Sequence, residues 1–240
     1  MAAKKPTAPI QVYGVLDANA LLPPRLSDVL FDLQGAGLYK ARWSEEIEKE
    51  FLRNWGSVVV KDQAVDARQL KKGAQHRLDC YRGVTEEYEI MGHLRPEILS
   101  KVPAEVQAND KHVAAAALQL RAALDEEGES GEVCLVTNNL RHLAVEQMKA
   151  LGVEVLTPGA FIDKFAKDDR TADAVRKAAS DLEDPPYNLD QLLGALVAHG
   201  SKAAVKELSK AWGVKPAKTP GKKPAKAAAK ATRKAAPKKS

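Results

Sequence analysis

The sequence predicts an α/β fold in which a parallel sheet is covered by helices on both faces. Three observations predict it. The runs "QVYGVLD" (11–17), "GEVCLVT" (131–137) and "VEVLTP" (153–158) are apolar and carry β-branched residues. Each closes on a polar or turn-forming residue, as buried strands do. Stretches with helical spacing lie between them, and parallel strands need such long crossovers.

The elements follow in order. After "QVYGVLD" comes the turn-like "ANALLPP", and then "RLSDVLFDLQGAG" at helical period, stopped by Gly35 and Gly37. "WSEEIEKEFLRNW" (43–55) is a second helix, with Ser44 as N-cap and an acidic first turn. Residues 61–82 read as a long, polar, amphipathic helix. Residues 84–107 hold no long element, because Pro96 and Pro103 interrupt them. "NDKHVAAAALQLRAAL" (109–124) is a helix with Asn109 as N-cap. "NLRHLAVEQMKALG" is a helix closed by Gly152, and "GAFIDKFAK" is a short helix after the third strand.

Beyond about residue 168 no strand pattern remains. "RTADAVRKAASDLEDPP", "YNLDQLLGALVAHG" and "SKAAVKELSKAW" read as three short helices. From Val214 the chain has no Leu, Ile or aromatic residue, so it cannot bury a core and is expected to be disordered. The expected organisation is a flexible arm (1–9), an α/β domain (10–167), a helical extension (168–213) and a basic tail (214–240).

Charge divides the chain the same way. The 240 residues carry 37 Lys and Arg against 32 Asp and Glu. Ten of the basic residues and none of the acids lie in 214–240. Residues 1–213 therefore hold 27 basic and 32 acidic residues, a net of −5. A basic tail on an acidic body points to a polyanion as the tail's partner. The two cysteines, Cys80 and Cys134, make no disulfide framework and suit a reducing cytoplasm. "MAAKKPTAP" has no apolar secretory core, and no run of about 18 apolar residues predicts a membrane span.

In open parallel sheets, ligands bind at the carboxyl ends of the strands. Asp17 closes the first strand, and Thr137, Asn138 and Asn139 close the second, so both tips are expected on one edge. On a helical wheel of 43–55, Glu50 borders the stripe of Trp43, Ile47, Phe51 and Asn54. It is the one glutamate there expected to turn toward the protein body. Asp110 opens its helix on the face of Val113, Ala114 and Ala117, whose small side chains allow close approach to the sheet. Three carboxylates on one edge stay ionised together only around a cation. Oxygen-only ligands suit Mg²⁺ or Mn²⁺, ions that activate water and clamp phosphate oxygens.

Each residue also has a plainer role open to it: Asp17 as a turn cap, Glu50 as a solvated acid, Asp110 as a helix-dipole partner, Asn139 as an N-cap. Arg42, Arg53, Arg141 and His142 could steer a phosphate backbone or could be surface charge. His76, His93 and His199 have no partner at ligand spacing and are expected at the surface or in packing. No GxSxG, Walker A or CxxC pattern is present, so serine, P-loop and dithiol chemistries lack support.

"VLDANALL" with Asp17, "LSDVL" with Asp28, "RWSEEIEKEFLRNW" with Glu50, "NDKHVAAAAL" with Asp110, "LVTNNLRHL" and "VEVLTPGAF" occur in an order and spacing that resemble PIN-domain proteins, specifically the VapC-type toxin ribonucleases. The resemblance covers about residues 11–166, and the segment near 171–212 is similar to an extension on a subgroup of that family. It implies a three-layer α/β/α sandwich and Mg²⁺- or Mn²⁺-dependent cleavage of RNA. Asp17, Glu50 and Asp110 would be the metal-site acids, with Glu46 a competitor one turn from Glu50. Asn139 and Thr137 would complete the site, and Thr137, Arg53 and Arg141 would contact the substrate. It also implies a cognate antitoxin and leaves the oligomeric state open, a homodimer included. The chain departs from the pattern at Asn139, where many relatives carry a fourth acid, and His142 stands where relatives often have an acid. A nucleic-acid-binding protein with a degenerate domain is the second reading, and an interaction module recruiting a partner through the helical extension is the third. The tail resembles the lysine- and alanine-rich tails of linker-histone-like bacterial proteins, which implies sequence-independent contact with RNA or DNA phosphates.

Overall fold

A computed structural model describes residues 11–59, 66–181 and 188–218. The expected N-terminal arm, the start of the helix expected at 61 and all of the tail beyond Lys218 lie outside the described residues.

The chain begins with β1 (Gln11–Leu16), followed by α1 (Ala18–Leu21), α2 (Pro24–Gly35) and β2 (Lys40–Arg42). Next come α3 (Glu45–Val59), α4 (Ala67–Gly83) and α5 (Pro96–Leu99). A single 3-10 turn (Ala108–Asp110) opens α6 (Lys111–Glu127), and β3 (Gly131–Val136) follows. A second 3-10 turn (Leu140–His142), α7 (Val145–Ala150) and β4 (Val153–Leu156) complete the sheet. The remaining helices are α8 (Pro158–Asp163), α9 (Asp169–Ser180), α10 (Leu189–Ala198) and α11 (Ala203–Trp212).

The sheet has four strands in the order β2-β1-β3-β4, all parallel. Val15 sits between Arg42 and Leu135, and Leu135 pairs with Val155. The chain steps from β1 to β2 in one direction and from β2 past β1 to β3 in the other. Right-handed crossovers therefore place α2 on one face and α6 and α7 on the opposite face. After β4 the chain returns to the α2 side. There Phe161 of α8 packs edge-on against Tyr39, and both rings abut Gly14 of β1. A Cβ at Gly14 would lie 3.0 Å from both rings, so only glycine lets α8 come this close to the sheet. The result is the expected α/β/α sandwich.

The predicted strands are present, each shorter by a residue or two at its carboxyl end. β2 was not anticipated. It has only three residues, and its edge is capped where Trp43 bridges to Glu89 and Ile90 N–H donates to the Trp43 carbonyl at 2.9 Å. The helix expected after Asn139 is broken. Ala144 adopts a left-handed φ of 48°, which separates the 3-10 turn from the six-residue α7. Two expected caps also differ. The Ser44 hydroxyl is buried and makes no hydrogen bond among the described residues. Asp110, not Asn109, is the cap position of α6, and it makes no capping bond.

The helical extension shares the core of the α/β layers. Ala174, Val175 and Ala178 of α9 are buried, and α9 lies along α2 with the Lys177–Asp32 ion pair at its margin. The α10–α11 turn docks on α8, where the Gly159 N–H donates to the His199 carbonyl at 3.1 Å. The first residues past α11 are held too. Val214 is half-buried against the core, and Ala217 N–H donates to the Asp190 carbonyl at 2.7 Å.

Candidate active site

β1 and β3 are the neighbours between which the strand order reverses, and the crossovers diverge from their carboxyl ends to leave a crevice. Asp17 stands at this point. Its N–H donates to the Val136 carbonyl at 3.1 Å, while Thr137 N–H donates to the Leu156 carbonyl at 2.9 Å. Only 3% of Asp17 is exposed. Its Oδ2 accepts from Thr137 Oγ1 at 2.6 Å and from Asn19 Nδ2. Burial pushes its carboxyl up to about 6; the Thr137 bond offsets part of this, and the Glu50 charge adds to it.

Asn19 is the residue sequence reasoning did not assign. Its Nδ2 also donates to Thr137 Oγ1 at 3.0 Å, and its Oδ1 accepts the Asn138 N–H at 2.7 Å. Asn138 Nδ2 donates back to the Asn19 carbonyl at 3.2 Å. One side chain thus ties the tip of β1 to the tip of β3 and fixes the Asp17 carboxylate. The available signal was an asparagine two residues past a strand-ending aspartate.

An open cleft of about 830 Å³ lies beside Asp17, between α3 and the start of α6. Glu50, Arg53, Asp110, His112 and Asn139 line it. Gln107 N–H donates to the His142 carbonyl at 3.0 Å, and this bond draws the loop before α6 onto the turn after β3. Asp110 Oδ1 accordingly accepts from Asn139 Nδ2 at 2.7 Å, and Oδ2 faces His142 Nδ1 at 3.3 Å. Glu50 Oε2 lies 3.3 Å from His112 Nε2, and Glu46 Oε2 lies 2.8 Å from His93 Nε2. Neither Nε2 atom meets strict hydrogen-bond geometry, and each contact is an ion pair only when its ring is protonated. Burial works against a charged His112 ring, but Glu50 and then Asp17 outweigh it and raise its pKa. Burial prevails at His93, whose pKa is lowered despite Glu46.

The structure thus brings Glu50, Asp110 and Asn139 to one cleft; Asp17 does not line it but lies near enough for the Glu50 and His112 charges to act on it. It corrects several expectations. Thr137, expected to contact the substrate, is fully buried with its hydroxyl bonded to Asp17. Arg53 lines the cleft, whereas Arg141 is exposed outside the lining. Asn139 caps no helix with its side chain; it holds Asp110. Glu50 is not the only inward glutamate of α3. Glu48 is 5% exposed, accepts from Trp43 Nε1 at 2.9 Å and takes a two-pronged contact from Arg82 of α4. A helical wheel assumes one packed face, and α3 has two, because α4 covers the second. His93 is buried as a packing residue but does have an acidic partner.

Among the described residues, the set that brings three ligand atoms within 4.8 Å of one another is Glu132, Cys134 and Glu154, a group that could hold a metal. Its centre already has a cation: Lys164 Nζ bonds Glu132 at 2.5 Å and Glu154 at 2.8 Å. Burial also pushes the Cys134 thiol far up, so it is a poor thiolate donor. This group fastens α8 to β3 and β4. The Asp17, Glu50 and Asp110 oxygens are not gathered so tightly. The donor chemistry of the edge is nevertheless that of a hard cation, which takes one or two carboxylates directly and keeps water in the rest of its shell.

No protein-family model, curated protein or solved structure matches the chain. Among the described residues, no helix is long and apolar enough to cross a membrane.

Proposed function

We propose that this protein is a metal-dependent endoribonuclease that hydrolyses RNA phosphodiesters. The observation that carries the reading is Asp17: a buried carboxylate at the strand-order reversal, clamped by Thr137 and Asn19 beside a cleft holding Glu50 and Asp110. Burying an acid against its ionisation is costly, and such perturbed groups concentrate at reactive sites. Mg²⁺ or Mn²⁺ held by Asp17, Glu50 and Asp110 would supply positive charge for the phosphate oxygens and an acidified water.

The chain's own residues perform the remaining tasks. Thr137 and Asn19 fix the Asp17 carboxylate, and Asn139 fixes Asp110 through its amide. Arg53 and Lys49 on the cleft wall offer cations to the backbone of an entering strand. His112 balances Glu50 when the cleft is empty. The resemblance to toxin ribonucleases adds a cognate antitoxin, and the free cysteines Cys80 and Cys134 suit a reducing cytoplasm as the place of action.

Incubating purified protein with end-labelled single-stranded RNA tests the reading. Cleavage is expected with Mn²⁺ or Mg²⁺, none in EDTA, and none from Asp17→Asn. Cleavage that survives in Asp17→Asn would show that the activity lies elsewhere. Asn139 in place of a fourth acid favours the second reading, a nucleic-acid-binding protein without activity. Tight RNA binding with no cleavage under any metal would establish it.

A further inference from the structure

The loop Ile90–Arg95 presents apolar side chains at the rim of the cleft: Met91 is 74% exposed and Leu94 45%. Single exposed apolar residues are common on surfaces. These two sit on a loop that is fastened at both ends. Ile90 is buried and its N–H bonds the Trp43 carbonyl. Gly92 turns the chain with φ +75°, and the buried His93 rests on Glu46. Arg95 Nη2 donates to Gln119 Oε1 at 2.9 Å, and its Nε donates to the Gly92 carbonyl at 3.1 Å. Met91 and Leu94 are therefore held out toward solvent by the fold.

Leu94 and Glu46 line the cleft and also a second hollow beside it, so they form the ridge between the two. The second hollow, of about 370 Å³, is bounded by Glu45, Glu46, Glu89, Met91, His93 and Arg95. Lys49 pairs with Glu45 at 2.9 Å, and Arg95 spends two of its donors on Gln119 and the Gly92 carbonyl. The three acids outnumber the one arginine of the lining, so the hollow is a poor seat for phosphate. Its acids would accept hydrogen bonds from an amino group, as carboxylates do from cytosine N4. Aliphatic side chains at such ridges enter between bases and part the stack.

We propose that Leu94 and Met91 form a wedge that parts the bases of a bound single strand and seats one amino-bearing nucleobase, not uracil, in the second hollow. The proposal rests on the reading of the cleft as a nucleic-acid site. A Watson–Crick duplex cannot present an unstacked base there, so the wedge selects single strands.

The test is fluorescence anisotropy of the full chain in EDTA with short labelled RNAs, namely oligo-C, oligo-A and oligo-U strands and a duplex. Basic segments bind all strands alike, so the ratios carry the information. Oligo-C and oligo-A are expected to bind about tenfold tighter than oligo-U, the scale of one stacked base. The Met91→Ala/Leu94→Ala double variant should lose that preference and bind the three strands alike. Both side chains are exposed, so the variant should melt with wild-type protein. Equal affinity of wild-type protein for all three strands would overturn the proposal, as would a variant that keeps the preference. A face that instead docks a protein would give this second result. Because EDTA prevents metal-dependent turnover, base preference without cleavage in Mn²⁺ sinks the nuclease reading alone. Cleavage without base preference sinks the wedge alone.

Discussion

Thr137 Oγ1 donates to Asp17 Oδ2 at 2.6 Å across the seam between β1 and β3. The same oxygen accepts from Asn139 N–H at 2.9 Å and from Asn19 Nδ2 at 3.0 Å. Every polar capacity of the hydroxyl is used, in a residue with no exposure. Thr137→Val keeps the shape but leaves the Asn139 N–H without its acceptor and removes one of the two donors to Asp17 Oδ2. It is expected to lower stability by about 1–3 kcal/mol. Urea unfolding measures this, and an unchanged midpoint would show that the network is slack. Metal-dependent cleavage should fall with it, because Asp17 and Asn139 each lose a bond that holds them.

Asp17 should make the metal-free protein less stable as pH rises. Its folded value of about 6 lies above the ordinary 3.8. The protonated form is favoured in the fold, so the group's contribution is fully present below pH 4 and lost by about pH 6. The span corresponds to roughly 3 kcal/mol at 1.36 kcal/mol per tenfold change. Asp17→Asn should match wild-type stability near pH 4 and exceed it in EDTA above pH 6. Melting curves across that window decide it, and a gap independent of pH counts against the assignment.

Glu46 and Glu50 both face the cleft, and the structure separates their roles by their partners. Glu50 touches His112 at the start of α6, and Glu46 supports His93 in the rim loop. Glu50→Gln is expected to abolish metal-dependent cleavage. Glu46→Gln should retain turnover and raise the apparent Michaelis constant by loosening the loop. The reverse pattern in steady-state kinetics would exchange the two assignments.

Much of this was legible because period and composition were strong. β1, β3 and β4 are apolar runs whose ends fell where the chain meets polar residues, and that placed Asp17 and Asn139 on one edge. β2 escaped because Lys40-Ala41-Arg42 looks polar. Arg42 is nonetheless buried, with its guanidinium over the Tyr13 ring at 5.7 Å. Glu48 escaped because its burial depends on Arg82, from another helix. The staple made by Asn19 depends on a partner more than a hundred residues away. Pairings set by tertiary neighbours leave no periodic trace, and for that reason His112 and His142 were not tied to their acids.

Asp163 closes α8 and caps α11 at once. It accepts from the Lys202, Ala203 and Ala204 N–H groups at 2.8–2.9 Å and from Ser201 Oγ at 2.7 Å. Burial alone would raise its pKa, but these donors outweigh it and lower it. Its contribution is therefore present above the ordinary carboxylate value and lost as pH falls below it. Asp163→Ala should cost about 1 kcal/mol, the scale of a helix cap. Chemical denaturation at pH 7 and at pH 3 should show the difference shrinking in acid.

The tail beyond Lys218 carries eight of the ten basic residues of 214–240. If roughly six meet phosphates of a single strand, log K should fall against log salt with a slope of about −4. Deleting 219–240 spares the residues that bind Asp190 and should flatten the slope while leaving turnover at saturating RNA near wild type. Loss of turnover at saturation would mean that the tail enters the site.

The packing of α9 along α2 has a consequence for synthesis. Residues 24–35 are translated before β2, whereas residues 169–180, which pack along them, follow the last strand of the sheet. Arg170 Nη1 then seals the join through the Ala36 and Gly37 carbonyls at 3.1 and 3.3 Å. A nascent chain halted after β4 would leave the side of α2 that α9 covers open to chaperones or to other chains. β1, which leads into Asp17, is made well before α9, the helix that completes the layer over α2. A premature stop before α9 should therefore yield aggregate or degradation products, not a smaller working protein.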